Sequence, residues 1–274
     1  MSSREDILND RLIYTCNCGW VDKNHMEDPS TRQHVGAKNL WKQLNDIEPL
    51  AKMSRTCLAT NGITGLYPYT LEKQASFPDG SKGYKVTYKQ DMGNKYYKTG
   101  ISRSYLVKYN LTKAQKKSVA LAIFMEVSQL FESHQESFPW SLVTNSGFSA
   151  EDLVSNLLGF YIAIGEYSKE KVTELCHPVS IDTSLEIWDR DGSIENLKNK
   201  KFSPELSNNT TNSNKIFYTE NSCSIDACHS QKNVFPSEFK KIKPATKGTY
   251  HIDFPSLGIS SCFRAGKSNK HRIF

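Results

Sequence analysis

One glutamate is placed where it could do acid chemistry. On the helix expected from residue 112 onward, Val119, Ala120, Ile123, Val127, Leu130 and Phe131 fall on one face at about 100° per residue. Glu126 lies three after Ile123 and four before Leu130, at the margin of that apolar face. A carboxylate there loses its water unless it is paired or protonated. Such a group is a natural general acid with a raised pKa. The alternative is a buried glutamate tied to an arginine, a lysine or a backbone N–H. Glu132 projects to nearly the opposite side of the helix and stands as the reserve acid. A second constellation is Asp22 and His25, three apart, which share a face if they lie on a helical turn. The carboxylate could then orient the imidazole, although Asp-x-x-His pairs also arise by chance on many surfaces.

The elements that must position these groups are two helices. Thr112-Lys113-Ala114-Gln115 matches a capping box, and a run without Gly or Pro follows it to Phe138. A loop over 139–148 carries Trp140 and Gly147. Ser149-Ala150-Glu151-Asp152 then starts a second helix, with Ser149 as N-cap and acids in the first turn. It runs to Gly165, a C′ residue. Helices over 112–134 and 149–165 are expected to pack together at the centre of the fold.

Around them the reading is coarser. Residues 12–16 read as a strand, and Asp28-Pro29 starts a helix that reaches Leu44 or Asn45, weakened in its middle by Gly36. Between 62 and 109, turn signals at Pro78-Asp79-Gly80 and Met92-Gly93-Asn94 separate short β-rich runs. These make a small antiparallel sheet or hairpins, whose tyrosines either line a carbohydrate groove or pack against the helices. A short helix over 168–175 follows. Beyond Cys176 helical periodicity fades: Leu185-Glu186-Ile187-Trp188 reads as a strand, and Asp189-Arg190-Asp191-Gly192 as a turn rather than a calcium loop. The Asn/Ser/Thr tract 207–214 reads as a flexible loop, and Gly266-Lys267-Ser268 lacks the context of a P-loop. The expected fold class is a helix-dominated α+β domain. Residues 1–175 form the helical core with a β insertion at about 62–109, and residues 176–274 an irregular, partly β extension packed on it.

Composition bounds the partners. A chain of 274 residues is long enough for one large domain or two small ones. No run approaches the ~20 apolar residues of a membrane span, and the start has no apolar signal segment. The expectation is synthesis in the cytoplasm, with any exit by a route that needs no such signal. A net charge of +6, spread along the chain, suits anionic partners in general, bacterial cell wall among them. No basic helix with interleaved aromatics is present, which argues against nucleic acid. The seven cysteines have irregular spacing that points to thiols or one or two disulfides rather than a zinc knuckle.

Two segments carry a resemblance. Cys18-Gly19-Trp20-Val21-Asp22-Lys23-Asn24-His25 resembles the Gly-Φ-Ile-Asp-x-x-His signature of a little-studied group of bacterial domains. The run from Phe148 through Ser149, Glu151, Asp152, Leu153, Ser155, Asn156, Leu157 and Leu158 to Gly159 resembles the group's Phe-Ser-x-Glu-Asp-Leu-x-Ser-Asn-Leu-Leu-Gly signature. Met125-Glu126 falls where many members have His-Glu, which speaks against a bound metal here. The arrangement over 12–165 also looks like the lysozyme-like muramidase domain of type VI secretion effectors that degrade peptidoglycan. That resemblance implies a mostly helical enzyme with a glutamate acid and no cofactor, delivered to the periplasm of target bacteria and countered by a cognate immunity protein. It implies one site from Glu126, Asp22, His25 and Asp152, with Glu132 in reserve, and with Trp20, Asn156 and Trp140 toward the substrate. Core packing is the competing role for both tryptophans. Two other functions stay open. One is a metal-dependent cell-wall amidase or peptidase using His25, Asp22, Glu126 and His134, residue types that suit zinc or a harder metal but lack HExxH spacing. The other is a non-enzymatic binding module whose polar cluster only fixes the fold.

Overall fold

A computed structural model of the chain describes residues 2–27, 34–46, 52–60, 66–74, 77, 79–93, 98–136, 147–194, 198–204, 234–246 and 248–252. The described residues form a helix-dominated α+β structure. In chain order its elements are α1 (Arg4–Leu8), β1 (Leu12–Thr15), β2 (Gly19–Asp22), α2 (Lys23–Met26), α3 (Ala37–Asn45), β3 (Lys52–Thr60), β4 (Leu66–Gln74), β5 (Gly83–Gly93) and β6 (Lys98–Lys108). They continue with α4 (Lys113–Glu136), α5 (Asp152–Ala163), α6 (Lys169–Cys176), α7 (Ile181–Asp191), a 3₁₀ turn (Ser237–Lys240) and β7 (Tyr250–Ile252). The strands pair antiparallel as β1–β2, as β3–β4 and as a three-stranded sheet in the order β5-β6-β7. None of the described helices is long and apolar enough to cross a membrane.

The two central helices form and pack together as expected, but α5 starts at Asp152 with Glu151, and not Ser149, at its N-cap. At the start of α4 the Gln115 N–H donates to Thr112 Oγ1 at 3.2 Å, and the Thr112 N–H donates to Gln115 Oε1 at 2.9 Å. This is a reciprocal capping box. The α5 helix ends where Gly165 takes φ +67° and the Glu166 N–H returns to the Tyr161 carbonyl. A glycine at C′ accepts that left-handed turn without a Cβ clash. Between the helices, the Phe124 and Phe160 rings lie 4.8 Å apart, centroid to centroid. On the other side of α4, the alternation of β5 and β6 turns Tyr84, Val86, Tyr88, Tyr105 and Val107 inward, and all five are fully buried in the same core. The tyrosines therefore pack on the helices. Tyr88 alone among them also borders a cavity.

A second, smaller core joins the N-terminal segment to the region around α7. Ile7, Leu12, Tyr14 and Trp20 pack there with Val179, Ile187 and Ile194. Trp20 is held edge-on between Tyr14, at 5.4 Å, and Trp188, at 5.9 Å.

Three further expectations need correcting. The helix placed from Pro29 begins at Ala37, and Gly36 is its N-cap with φ 83° and ψ 159°, a conformation open mainly to glycine. Gly36 starts this helix instead of weakening it; residues 28–33 lie outside the described residues. The β insertion begins at Lys52, ahead of residue 62. The strand placed at 185–188 is the middle of α7. Ser180 caps that helix by accepting from the Thr183 N–H, Asp182 sits in its first turn and Gly192 ends it. Four residues of apolar alternation were too short a window; over eleven residues Ser184, Ile187 and Trp188 follow the helical spacing.

Candidate active site

The second half of α4, the turn over 147–151, the start of α5 and the β2–α2 segment meet around a group of buried acids. Glu132, Glu151, Asp152 and Asp22 are each at most 5% exposed. Local geometry places each one. Asp22 closes β2 and caps α2, its Oδ1 accepting from the Asn24 N–H at 2.7 Å, with Arg11 Nε 3.6 Å from its Oδ2. Asp152 Oδ2 accepts from the Ser149 N–H at 3.0 Å, so it ties the turn to the helix start. Glu151 Oε1 accepts from the Ser2 hydroxyl at 2.6 Å. Glu132 Oε2 accepts from the Phe148 N–H at 3.0 Å. Phe148 has φ 58°, unusual for a non-glycine residue. The Asn199 N–H to its carbonyl and the Lys200 ammonium over its ring help hold it there.

The two motif segments are adjacent in space. The Asp22 N–H donates to Ser155 Oγ at 2.9 Å, and His25 Nδ1 lies 3.4 Å from Asp152 Oδ1. Gly159 allows the approach: a Cβ there would sit 2.8 Å from the carbonyl oxygens of both His25 and Met26. The glycine that closes the second motif is thus a contact point for the backbone of the first.

Burial without full charge compensation decides the protonation of the cluster. Desolvation pushes the Glu132 carboxyl up to about 7, against the lowering effects of the Phe148 N–H and of a hydrogen bond with Asp152. Asp152 is raised well above the carboxylate range, first by burial, then by Glu132 and Glu151. Glu151 is raised by burial as well, with the Ser2 hydroxyl opposing. Glu132 and Asp152 thus titrate together and retain a proton toward neutral pH. The His25 imidazole is held below its ordinary value, chiefly by desolvation, while Asp22 pulls the other way and Arg11 adds to the lowering. Because 43% of its side chain is exposed, water moderates that desolvation.

Glu132 and His25 both line a cavity of about 270 Å³. Its other walls come from Asn24 of α2, Gln90 and Asp91 of β5, Phe131 and Gln135 of α4, and Asn156 of α5. This is a polar chamber with an aromatic side, and a carboxyl that holds its proton reaches it. A group of this kind can donate a proton to a bound substrate and take it back.

Of the expected site residues, Asp22, His25 and Asp152 come together, and Asn156 borders the cavity. Glu126 does not line it. Glu126 faces the sheet, paired with Arg103 of β6 and 30% exposed, which is the alternative of a glutamate tied to an arginine. The reserve residue Glu132 holds the place expected of Glu126. The single apolar face used to rank the two is too narrow. Phe124, Ser128 and Gln135 extend the buried arc of α4 toward Glu132, because α5 and the turn at 148 cover that side. Trp20 is a core residue, 2% exposed. Trp140 lies outside the described residues. Gln90, Asp91, Glu151 and Gln135 were missed. Gln90 had a signal, since it continues the inward register of Tyr84, Val86 and Tyr88. Glu151 sits inside the second motif, but nothing in sequence separates a buried acid there from an exposed one.

Among the described residues no three His, Cys, Asp or Glu side chains are grouped to hold a metal ion. His25, Asp22, Glu126 and His134 accordingly do not form a ligand set. No family model, curated protein or solved structure matches the chain.

Proposed function

We propose that the chain hydrolyses the glycan strands of peptidoglycan in a lysozyme-like way, with Glu132 as the general acid. The observation that carries this is a glutamate buried beside an open polar cavity, its carboxyl raised to about 7. Glycosidic cleavage needs a carboxylic acid that still holds its proton at working pH, and a second carboxylate to act as nucleophile or to activate water. Asp91, on the β5 wall of the same cavity, is the candidate for the second role. Asp152 and His25 are positioning residues that keep the Glu132 proton in place. Asn24, Gln90, Gln135 and Asn156 supply hydrogen-bonding groups for sugar hydroxyls and N-acetyl groups, and Phe131 an apolar face. On this reading the net charge of +6 favours the anionic wall, and the chain acts as an antibacterial effector on the wall of another cell.

The test is a digest of purified peptidoglycan, read by mass spectrometry for new reducing ends, with wild type and Glu132→Gln side by side and with and without chelator. Chelator-insensitive reducing ends made only by wild type are expected. Peptide-bond cleavage, or intact glycan with wild type, would sink the reading.

A second reading is a binding module whose acid cluster fixes the fold. It is favoured by the local anchoring of Asp22, Asp152, Glu151 and Glu132, each on a backbone N–H or hydroxyl. Intact glycan together with tight sedimentation on insoluble wall would select it.

A further inference from the structure

We propose that Cys18 and Cys176 are a disulfide site, formed by thiol–disulfide exchange, that staples the β1–β2 turn to the C-terminal end of α6. Both residues are free cysteines, buried at 1% and 3% exposure, with their sulfurs 2.7 Å apart. Closing a bond of ~2.05 Å needs a movement of less than about 1 Å. The approach is fixed by backbone that does not involve the sulfurs. The Cys16 N–H donates to the His177 carbonyl at 2.9 Å, the Asn17 N–H to the Cys176 carbonyl at 3.1 Å, and Asn17 Nδ2 to the Leu175 carbonyl at 3.0 Å. His177 takes φ 53° at the end of α6, which turns the chain back along β1 so that the Val179 N–H reaches the Tyr14 carbonyl. Two chain segments 158 residues apart in sequence are thus held with their thiols face to face. Cys16, in the same turn, is already disulfide-bonded, so this chain does use its cysteines for cross-links.

The exchange balances with a small-molecule disulfide such as oxidised glutathione as oxidant. One cysteine thiolate attacks the carrier disulfide, forming a mixed disulfide and releasing one carrier thiolate. The second cysteine thiolate attacks the protein sulfur of that mixed disulfide and releases the other. Two electrons pass from the protein sulfurs to the carrier, and the two thiol protons end on the two carrier thiols. Burial raises the Cys18 thiol well above its ordinary range, so thiolate is scarce in the folded state. Closure therefore belongs to the stage before α6 covers the turn, and once made the bond is shielded from reduction.

The full chain is refolded in a glutathione redox buffer, alkylated under denaturing, non-reducing conditions and mapped by mass spectrometry. Fragmentation at the Asn17–Cys18 bond assigns the two neighbouring sulfurs separately. The expected result is a peptide pair linked through Cys18 and Cys176. Alkylated Cys18 and Cys176 in a sample whose Cys16 is cross-linked would overturn the proposal, as would either of them bonded to another cysteine. In Cys16→Ser, where the neighbouring bond is gone, oxidation should raise the melting temperature by about 5 °C or more, the expectation for a long closed loop in a chain of this size. An unchanged melting temperature would also overturn it. Should Cys16→Ser fail to fold, the wild-type map still decides.

Discussion

Glu126 and Glu132 stand on one helix, six residues apart, and their surroundings make them different chemical objects. Glu126 meets Arg103 across the sheet and keeps water on one side. Glu132 points about 120° away around the axis, into a wall made of Phe148, Asp152 and Glu151, where burial outweighs the lowering effect of the Lys198 charge. The first is a paired carboxylate with a structural task. The second is an acid kept protonated by its surroundings. What matters is which layer each one meets: β6 brings an arginine, whereas α5 and the turn before it bring more acids.

The strongest way to break this comparison is to neutralise each glutamate in turn. Glu132→Gln keeps the shape and the Phe148 contact but has no proton to give, so glycan hydrolysis should fall at least ~100-fold, the low end for a general acid. Glu126→Gln should leave turnover within about twofold. Equal losses in the two variants would erase the distinction drawn here.

The same pair separates in stability. Glu132 has a raised folded-state pKa of about 7 against 4.5 for the ordinary glutamate. Between those values the folded state binds more protons than the unfolded, so the wild type loses stability as pH climbs through that window. Above it the deficit is full and amounts to about 3 kcal/mol; below pH 4.5 it vanishes. Glu132→Gln should therefore be more stable than wild type at pH 8 and equal to it at pH 4, as read from urea midpoints. A gap that stays constant with pH would refute the buried-acid account.

A smaller effect is expected where the two motif segments touch. Gly159→Ala forces a methyl group against two carbonyl oxygens of α2 and should destabilise by about 1–3 kcal/mol. It should also loosen the packing around His25 and relieve its desolvation, visible as an imidazole pKa that moves toward its ordinary value by NMR titration. Smallest of all, Glu126→Gln should cost about 0.5–1 kcal/mol, the measure of a partly exposed ion pair, and that loss should shrink in high salt.

The sequence made much of this legible, and the failures have physical causes. The caps of α4, the glycine stop of α5 and the Ser168 start of α6 depend on residues within four positions of one another, and all three were readable. Asp22, His25 and Asp152 were brought together through motif resemblance; periodicity alone could not do it. Ranking Glu126 over Glu132 required knowing how many sides of α4 are covered, and that depends on β6 and α5, elements whose packing no local pattern states. The α7 helix was missed for a different reason. Its buried residues face a core supplied by β1, so its apolar stripe is short and was read as an alternation.

The second core has a temporal consequence. Its halves come from residues 7–20 and 179–194: the Tyr14 N–H bonds to Ser184 Oγ, 170 positions away, and Arg4 pairs with Asp189. Contacts of such separation carry a large loop-closure cost and form slowly. During synthesis the β1–β2 hairpin therefore waits, with Trp20 uncovered, until α7 has been made. Trp20 and Trp188 meet only in that closure, so tryptophan fluorescence in a refolding experiment should show a phase that lags the burial of the tyrosines on β5 and β6.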